Sequence, residues 1–279
     1  MTTRSKRKQM QSKKPIGVFD SGLGGLSVLG ELKKLLPNEN FIYFGDNANV
    51  PYGEKSKEQL VGFSRNILDY FKSRDVKMAL MACNTSSAVT LSVVKNEYDF
   101  DILGLIEPTA KFLASQDEPN IGVIATSATI KSNAYKDTIL KYSNKNIFQI
   151  PCPGLVELVE QGQVQTPEAT ELVRQYILPL LEQKVSKIVL GCTHYPFLSE
   201  IILKISGFDN ILINPAEFLV QEAYALLKAH DYLNLSGEGS VEFYTSKDPA
   251  EFVSVGQKLY AEVSRAELLE LNKNYSSKV

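Results

Sequence analysis

Eight short, unbroken apolar runs are the feature that most constrains the fold of this 279-residue chain. Strands covered on both faces read as continuous apolar runs, whereas half-exposed strands alternate with polar residues. Amphipathic stretches separate the runs, and helix-start signals occur at Ser56, Thr166-Pro167 and Pro215. This alternation predicts an α/β fold with mostly parallel sheets covered by helices. The predicted strands are residues 16–19, 41–44, 78–82, 102–106, 121–125, 146–150, 187–191 and 210–213.

Two pairs of similar segments indicate that the chain contains two related halves. GVFDSG (17–22) recurs as GVIATS (122–127), and MALMACNTS (78–86) recurs as SKIVLGCTH (186–194), at nearly the same separation. Ligands of open α/β sheets bind beyond the carboxyl ends of the strands. We therefore predict two similar domains whose polar strand ends face one another across a cleft that holds the active site.

Composition argues against several classes of function. The net charge of −2 gives no basic surface of the kind that nucleic acid or an anionic membrane attracts. No apolar stretch approaches the roughly 18 residues of a membrane span. The basic opening MTTRSKRKQMQSKK lacks the apolar segment of a signal peptide. We therefore expect a cytoplasmic protein with a disordered basic tail and a small-molecule substrate, and neither nucleic acid nor membrane as a partner.

The three cysteines are expected to be free thiols, because their number is odd and nothing points to an oxidising compartment. No cysteine and histidine spacing supports a metal site. Cys83 and Cys192 hold matching positions in the repeated segments. Inversion of a carbon acid needs such a pair, since a base removes the proton from one face and an acid returns one to the other. We predict that these two thiols lie on either side of one pocket.

Each thiol needs help to act as a base at neutral pH, because an unperturbed thiol titrates near pH 8.5. Asp20, at the end of the first strand, is a candidate partner for one thiol, and His194 is a candidate partner for Cys192. Structural alternatives remain for both residues. Asp20 could cap the helix that begins near Gly25, and His194 could be a satisfied structural histidine.

Two loops could contact a ligand. DSGLGGLSVLG (20–30) resembles a dinucleotide-binding loop, but Ser27 replaces its third glycine and Asp20 would face the pyrophosphate. Its glycines are better explained by backbone amides that approach a small anionic ligand closely. DNANVPYG (46–53) is either a plain surface turn or a rigid ligand contact through Tyr52. Uncharged groups that suit a small zwitterion are present at Asn84, Thr85, Thr126 and Thr193.

Together these segments resemble the glutamate racemases, cofactor-independent enzymes that supply D-glutamate for bacterial cell walls. The matching stretches are GVFDSGLGGLSVL, YFGDNANVPYG, ACNTSSAV, CPGLVELVE and LGCTHYPFL, in the family's order over most of residues 16 to 218. The resemblance makes Cys83 and Cys192 the catalytic bases. It makes Asp20 and His194 their assistants and gives Glu160 a supporting acid role. The substrate-binding residues would be Asp20, Ser21, Pro51, Tyr52, Gly53, Asn84, Thr85, Thr126, Thr193 and His194.

The resemblance also implies an organisation and a reaction. Racemisation of glutamate would need no metal and no pyridoxal phosphate, and we expect a homodimer. The second domain would be inserted into the first, giving a tail at 1–14, a first domain at 15–104 plus 214–266, a second domain at 105–213 and a tail at 267–279. Asn214, Gly154 and Glu157 depart from residues common in the family, but none is a predicted base. Alternatives are a racemase for aspartate or another small amino acid, a dinucleotide-binding oxidoreductase and a non-catalytic amino-acid-binding regulator.

Overall fold

Strands and helices alternate along residues 10–271, which are the residues that the computed structural model describes. The strands are β1 Ile16–Asp20, β2 Phe41–Gly45, β3 Met78–Met81, β4 Asp101–Gly104, β5 Asn120–Ala125, β6 Asn146–Pro151, β7 Lys187–Gly191, β8 Leu212–Ile213, β9 Val241–Thr245 and β10 Glu267–Leu268. The α-helices are α1 Leu26–Leu35, α2 Lys57–Ser73, α3 Asn84–Val89, α4 Leu91–Val94, α5 Ile106–Ala114, α6 Ser127–Lys131, α7 Ala134–Tyr142, α8 Leu155–Glu160, α9 Pro167–Glu182, α10 Ser199–Ser206, α11 Pro215–Ala229 and α12 Pro249–Leu259. Short 3₁₀ helices span Tyr52–Glu54 and Tyr195–Leu198.

The strands form two parallel sheets. One has the order β10-β9-β2-β1-β3-β4 and the other the order β6-β5-β7-β8. Every residue of β1, β2 and β3 is buried, as expected for central strands covered on both faces. The predicted α/β fold with two parallel sheets is therefore confirmed.

All eight predicted strands are present, and the structure adds two. The run at 102–106 is shorter than predicted because Ile106 begins α5, and the run at 210–213 pairs only at Leu212–Ile213. β9 was missed because its residues are alternately buried and accessible, so it carries no unbroken apolar run. It pairs with β2 from Phe41 to Gly45.

The three helix starts read from the sequence are also confirmed. The Ser56 hydroxyl accepts from the backbone N–H of Gln59 at 3.3 Å, and the Gln59 side chain accepts from the Ser56 N–H at 3.0 Å. This reciprocal pair satisfies two amides that have no partner within the helix. Thr166 caps α9, and Pro215 occupies the first turn of α11 behind the Asn214 cap.

The two sheets draw on different parts of the chain. The first uses strands between residues 16 and 104 and again between 241 and 268, whereas the second uses strands between 120 and 213. The connecting helices α5 and α11 pack together, and the rings of Phe112 and Phe218 stack at 4.3 Å between centroids. The second sheet thus interrupts the sequence of the first. The residue boundaries of the two domains stay a prediction.

Both predicted tails are partly ordered, which corrects the sequence interpretation. Residues 10–13 are helical, and the Ser12 carbonyl accepts from Lys77 Nζ at 2.6 Å. At the other end, Glu267 and Leu268 form β10 and pair with Tyr244 and Thr245 of β9. Residues 10–13 and 267–268 of the two predicted tails therefore belong to regular secondary structure. Residues 1–9 and 272–279 of the predicted tails lie outside the described residues.

A buried ion pair joins the ends of several elements of the first sheet. Lys77 Nζ lies 2.5 Å from Glu39 Oε2, and the two side chains are 0% and 1% exposed. Lys77 also donates to the carbonyl of Tyr232, and Glu39 accepts from the N–H of Asn234. Each charge is thereby both paired and hydrogen-bonded, as a buried ion pair requires.

None of the helices between residues 10 and 271 combines the length and apolar character needed to cross a lipid bilayer.

Candidate active site

One cavity lies where the two sheets face each other, at the carboxyl ends of their central strands. Ser21 follows β1 and Cys83 follows β3, while Thr126 follows β5 and Cys192 follows β7, and all four residues line this cavity. The space between protein atoms, counted to the open mouth, is about 690 Å³. The predicted cleft with one thiol from each repeated segment is therefore present. Pro51, Tyr52, Gly53, Asn84, Thr85, Thr193 and His194 line the same cavity.

Cys83 is a buried thiol at the start of α3. It is the N-cap residue of that helix and is 4% exposed. Burial raises the pKa of Cys83, and the nearby negative charge of Asp20 raises it further, to about 11. The backbone N–H and hydroxyl of Ser86 act in the opposite direction. At neutral pH this thiol therefore holds its proton.

Cys192, His194 and Glu160 form a second cluster on the opposite wall. Cys192 Sγ lies 3.7 Å from His194 Nδ1, and His194 Nε2 lies 3.4 Å from Glu160 Oε1. Burial alone lowers the pKa of His194, but Cys192, Glu160 and Asp20 together raise it to about 10. The imidazole is therefore cationic at neutral pH, between two groups that can carry negative charge. His194 is thus more than a satisfied structural histidine.

Asp20 connects the two walls. It is fully buried, and its carboxylate accepts from the Gly22 N–H at 3.0 Å and from the Thr193 hydroxyl at 3.3 Å. Burial raises its pKa, although the charge of His194 opposes the rise. The backbone N–H groups of Gly22, Gly25 and Ser21 also lower the pKa of Asp20. Within residues 10–271, no side-chain hydrogen bond caps α1, which Gly25 precedes. Asp20 itself does not line the cavity.

Hydrogen bonds between side chains link the domains around the cavity. Tyr135 donates its hydroxyl to Asn84 Oδ1 at 2.6 Å, and Thr85 lies 3.0 Å from Thr126 between hydroxyl oxygens. Thr129 closes a triangle with these two threonines, at 3.2 and 3.0 Å. Of the uncharged residues predicted from the sequence, Thr85 and Thr126 therefore share one hydroxyl cluster. Asn84 is bonded separately to Tyr135, and Thr193 is bonded to Asp20.

The loop glycines have a different role from the one inferred from the sequence. A Cβ on Gly24 would lie 2.4 Å from Thr193 Oγ1 and 2.7 Å from His194 Nδ1. A Cβ on Gly25 would lie 2.5 Å from the Asp20 Cβ. Neither glycine lines the cavity. Because these glycines have no side chain, the second domain and Asp20 can approach the loop closely. The sequence interpretation predicts that a ligand approaches there instead.

The turn at residues 46–53 is not a plain surface turn. Tyr52 is 2% exposed and donates its hydroxyl to Asp46 Oδ2 at 2.6 Å. Asp46 also accepts from the Ser246 hydroxyl at 2.7 Å and from the Asn49 amide at 3.0 Å. Asp46 therefore anchors the turn internally, with Tyr52, Pro51 and Gly53 forming part of the cavity wall.

Comparison with known proteins relates this geometry to a family. The family model described as Asp/Glu/Hydantoin racemase matches residues 16–223. The chain belongs to this family. The glutamate racemase of Trichormus variabilis is 44% identical over 252 residues, covering 89% of this chain and 85% of that protein. The glutamate racemase of Carboxydothermus hydrogenoformans is 43% identical over 242 residues, covering 86% and 90%. A crystal structure of Francisella tularensis glutamate racemase in complex with D-glutamate is 34% identical, with a TM-score of 0.88 over 94% of this chain and 99% of that one.

In this member of the Asp/Glu/Hydantoin racemase family, the cavity wall includes residues that sequence reasoning missed. Cys152 is 1% exposed and lines the cavity, with Sγ 3.4 Å from the Ile150 carbonyl. Burial raises its pKa well above the ordinary value. Glu157 lines the same wall. One signal could have identified Cys152. It directly follows β6, whose carboxyl end lies beside that of β5 in a parallel sheet.

Among residues 10–271, no group of three histidine, cysteine or acidic side chains is arranged to hold a metal ion.

Proposed function

We propose that this protein is a glutamate racemase that interconverts L-glutamate and D-glutamate without a cofactor, using Cys83 and Cys192 as acid and base. The observation that carries the proposal is that two buried thiols, one from each domain, line one cavity. Inversion at a carbon acid requires proton removal from one face and proton delivery to the other. Glutamate is the substrate named for the relatives that cover most of the chain.

The two thiols differ in their surroundings, which favours a resting state with the proton on Cys83. Its raised pKa, about 11, keeps Cys83 neutral, whereas Cys192 lies beside the cationic His194, with 3.7 Å between Sγ and Nδ1. In the direction from L-glutamate, Cys192 removes the α-proton and Cys83 delivers its own proton to the opposite face. From D-glutamate the roles exchange, so Cys83 is the base.

The neighbouring acids and the imidazole assist this exchange. Asp20 is buried with a raised pKa, so it can accept a proton when Cys83 must ionise. Glu160 stabilises the cationic form of His194 from the side away from Cys192. Asp20 and Glu160 do not line the cavity, so both act through the groups that do.

Uncharged groups would bind the substrate. The Asn84 oxygen is occupied by Tyr135, which leaves the amide nitrogen free to donate to a carboxylate. Ser21 and Thr193 offer hydroxyls in the same cavity, and Tyr52 forms a rigid wall held by Asp46. The other residues proposed for substrate binding are Pro51, Gly53, Thr85, Thr126 and His194, which line the cavity. Asp20, also proposed, would act on the substrate through the hydroxyl of Thr193, which donates to its carboxylate.

We further propose the biological setting that follows from this activity. D-glutamate made by the enzyme would supply peptidoglycan synthesis, in the cytoplasm and from a homodimer. Size-exclusion chromatography with light scattering tests the dimer, for which a mass of one chain at micromolar concentration would be the contrary result.

The reaction is tested by proton NMR of L-glutamate with purified protein in heavy water, without added cofactor. We expect the α-proton signal to disappear while the circular dichroism of the solution decays, and a parallel tube of L-aspartate to react more slowly. A faster aspartate tube would assign the enzyme to aspartate. Unchanged spectra in both tubes, from folded and reduced protein, would reject racemisation.

Substitution of each thiol tests the assignment of the bases. Cys83→Ser and Cys192→Ser should each lower kcat/KM by at least about a hundredfold, within the range expected for loss of a general base. Because the two enantiomers are equally stable in solution, kcat/KM must fall by the same factor in both directions. Cys152→Ser replaces the third buried thiol, which is not a proposed base. This control distinguishes the effect of losing a catalytic base from the effect of losing any buried thiol. Wild-type rates in Cys83→Ser would remove Cys83 from the mechanism.

A further inference from the structure

The hydroxyl of Ser86 is buried beside Cys83 and has no settled role in the fold. Ser86 is 0% exposed, and within residues 10–271 its Oγ has no hydrogen-bond partner among protein groups. The neighbouring hydroxyls on α3 do have partners. Thr85 bonds Thr126, and Ser87 donates to the Met81 carbonyl and accepts from the Leu105 N–H. A buried hydroxyl without a partner destabilises the folded state.

The helix start places this hydroxyl next to the Cys83 sulfur. Cys83 is the N-cap of α3 with extended backbone angles, φ −79° and ψ 122°. A side chain in that position points toward the backbone N–H of the third helical residue, which is Ser86, although the Cys83 side chain makes no cap hydrogen bond in the described part of the chain. In a capping box the side chain of the third residue also reaches back toward the cap. The Ser86 N–H and hydroxyl both stabilise the ionised form of Cys83.

We propose that Ser86 is a positioning residue, whose hydroxyl donates to the Cys83 sulfur when that thiol ionises and holds the thiolate oriented for proton abstraction. This inference rests on the proposed two-thiol racemisation. A neutral thiol is a weak acceptor, whereas hydrogen bonds to charged acceptors are roughly twice as strong as neutral ones. The bond therefore forms chiefly in the state that removes the proton. That role accounts for a hydroxyl that the resting fold leaves without a partner.

The ionisable groups around Cys83 oppose the ionisation of its thiol, whereas Ser86 beside them is a neutral hydrogen-bond donor. Asp20 and Cys192 carry or can carry negative charge and raise the pKa of Cys83. Tyr43 and Tyr52 also lie near it, and burial raises their pKa values so far that both stay neutral. Ser86 lies outside the cavity lining and so acts through Cys83 rather than on the substrate.

The test compares Ser86→Ala, Ser86→Thr and Ser87→Ala in the full-length chain. Ser86→Ala should lower kcat about tenfold, the effect of one hydrogen bond to a charged group, and leave the KM for glutamate within about twofold. Its Tm should be equal to or above that of the wild type, because a buried unpaired hydroxyl is removed. Ser86→Thr keeps the hydroxyl and should retain the wild-type kcat. Ser87→Ala should lower the Tm, since two buried groups lose their partner.

A measurement without substrate isolates the thiolate. In a Cys152→Ser, Cys192→Ser background, the rate of alkylation of Cys83 by iodoacetamide at pH 8 reports the thiolate fraction. Ser86→Ala should lower that rate about tenfold, which corresponds to a rise of about one pKa unit, and Ser87→Ala should not change it. An unchanged kcat or an unchanged alkylation rate in Ser86→Ala would overturn the proposal. Absence of racemisation by the wild type would instead reject the proposed function, and the alkylation result would remain readable.

Discussion

Removing the Tyr135 hydroxyl tests whether a contact between the domains orients the side-chain amide of Asn84, which we propose binds the substrate. Tyr135 is 1% exposed, and its hydroxyl donates to Asn84 Oδ1 at 2.6 Å. Phenylalanine fills the same space, so Tyr135→Phe deletes this hydrogen bond without opening a cavity. The Asn84 oxygen is then buried without that donor, and its amide can turn so that oxygen instead of nitrogen faces the cavity.

The magnitude follows from the loss of one buried hydrogen bond. The bond itself contributes about 1 kcal/mol, and leaving a buried acceptor unsatisfied costs about 1–3 kcal/mol. If about 1–2 kcal/mol of this appears in substrate binding, kcat/KM should fall about 5- to 30-fold, mostly through KM. The Tm should fall by a few degrees, at about 2–4 °C per kcal/mol for a chain of this size class.

A double-mutant cycle with Asn84→Ala separates this route from general damage. If Tyr135 acts through the amide, Tyr135→Phe should change kcat/KM little further once Asn84 is alanine. Initial rates by circular dichroism over a range of glutamate concentrations give kcat and KM for all four proteins. The reasoning would be refuted by equal fold-losses from Tyr135→Phe in the wild-type and Asn84→Ala backgrounds.

Three further perturbations address the ion pair, the loop and the imidazole. Lys77→Met should lower the free energy of unfolding in urea by about 3–5 kcal/mol, because Glu39 stays buried without its partner, and adding Glu39→Met should restore most of that loss. Gly24→Ala should lower the Tm, by overpacking of about 1–3 kcal/mol, and slow racemisation, because its Cβ would meet the second domain; wild-type kinetics would contradict this. Glu160→Gln should lower the NMR-detected pKa of His194 from about 10. Because the pKa of His194 is raised in the folded protein, protonation of this imidazole stabilises the folded state. This stabilisation is complete below the unfolded pKa of about 6.5 and is lost as the pH rises toward 10. Glu160→Gln should therefore lose this stabilisation at a lower pH than the wild type.

The sequence predicted those parts of the molecule that depend on local pattern. Continuous apolar runs located the buried strands, and the repeated segments brought Cys83 and Cys192 to one cavity. β9 was not predicted because the accessible side chains of Glu242 and Tyr244 alternate with buried ones. In so short a segment, alternation is a weaker signal of a strand than an unbroken apolar run.

Contacts across the cleft could not be predicted in the same way. Tyr135 lies in an amphipathic helix, where a tyrosine is ordinary, and only the placement of the two domains brings its hydroxyl to Asn84. Likewise, Gly24 followed a pattern common to ligand-binding loops, but the atoms that approach it belong to Thr193 and His194. Such pairings depend on the relative position of the domains, which sequence spacing does not encode.

The pairing of β2 with β9 also has a consequence for biosynthesis. Asp46, just after β2, is bonded to Ser246, 200 residues further along the chain. During translation the inserted sheet, whose strands are contiguous, can assemble first, whereas the outer sheet lacks β9 until most of the polypeptide has emerged. The turn that carries Tyr52 depends on that late strand through Asp46. We therefore expect catalytic competence to arise only near the end of synthesis, so that a nascent chain stalled before residue 241 contains both thiols yet is inactive.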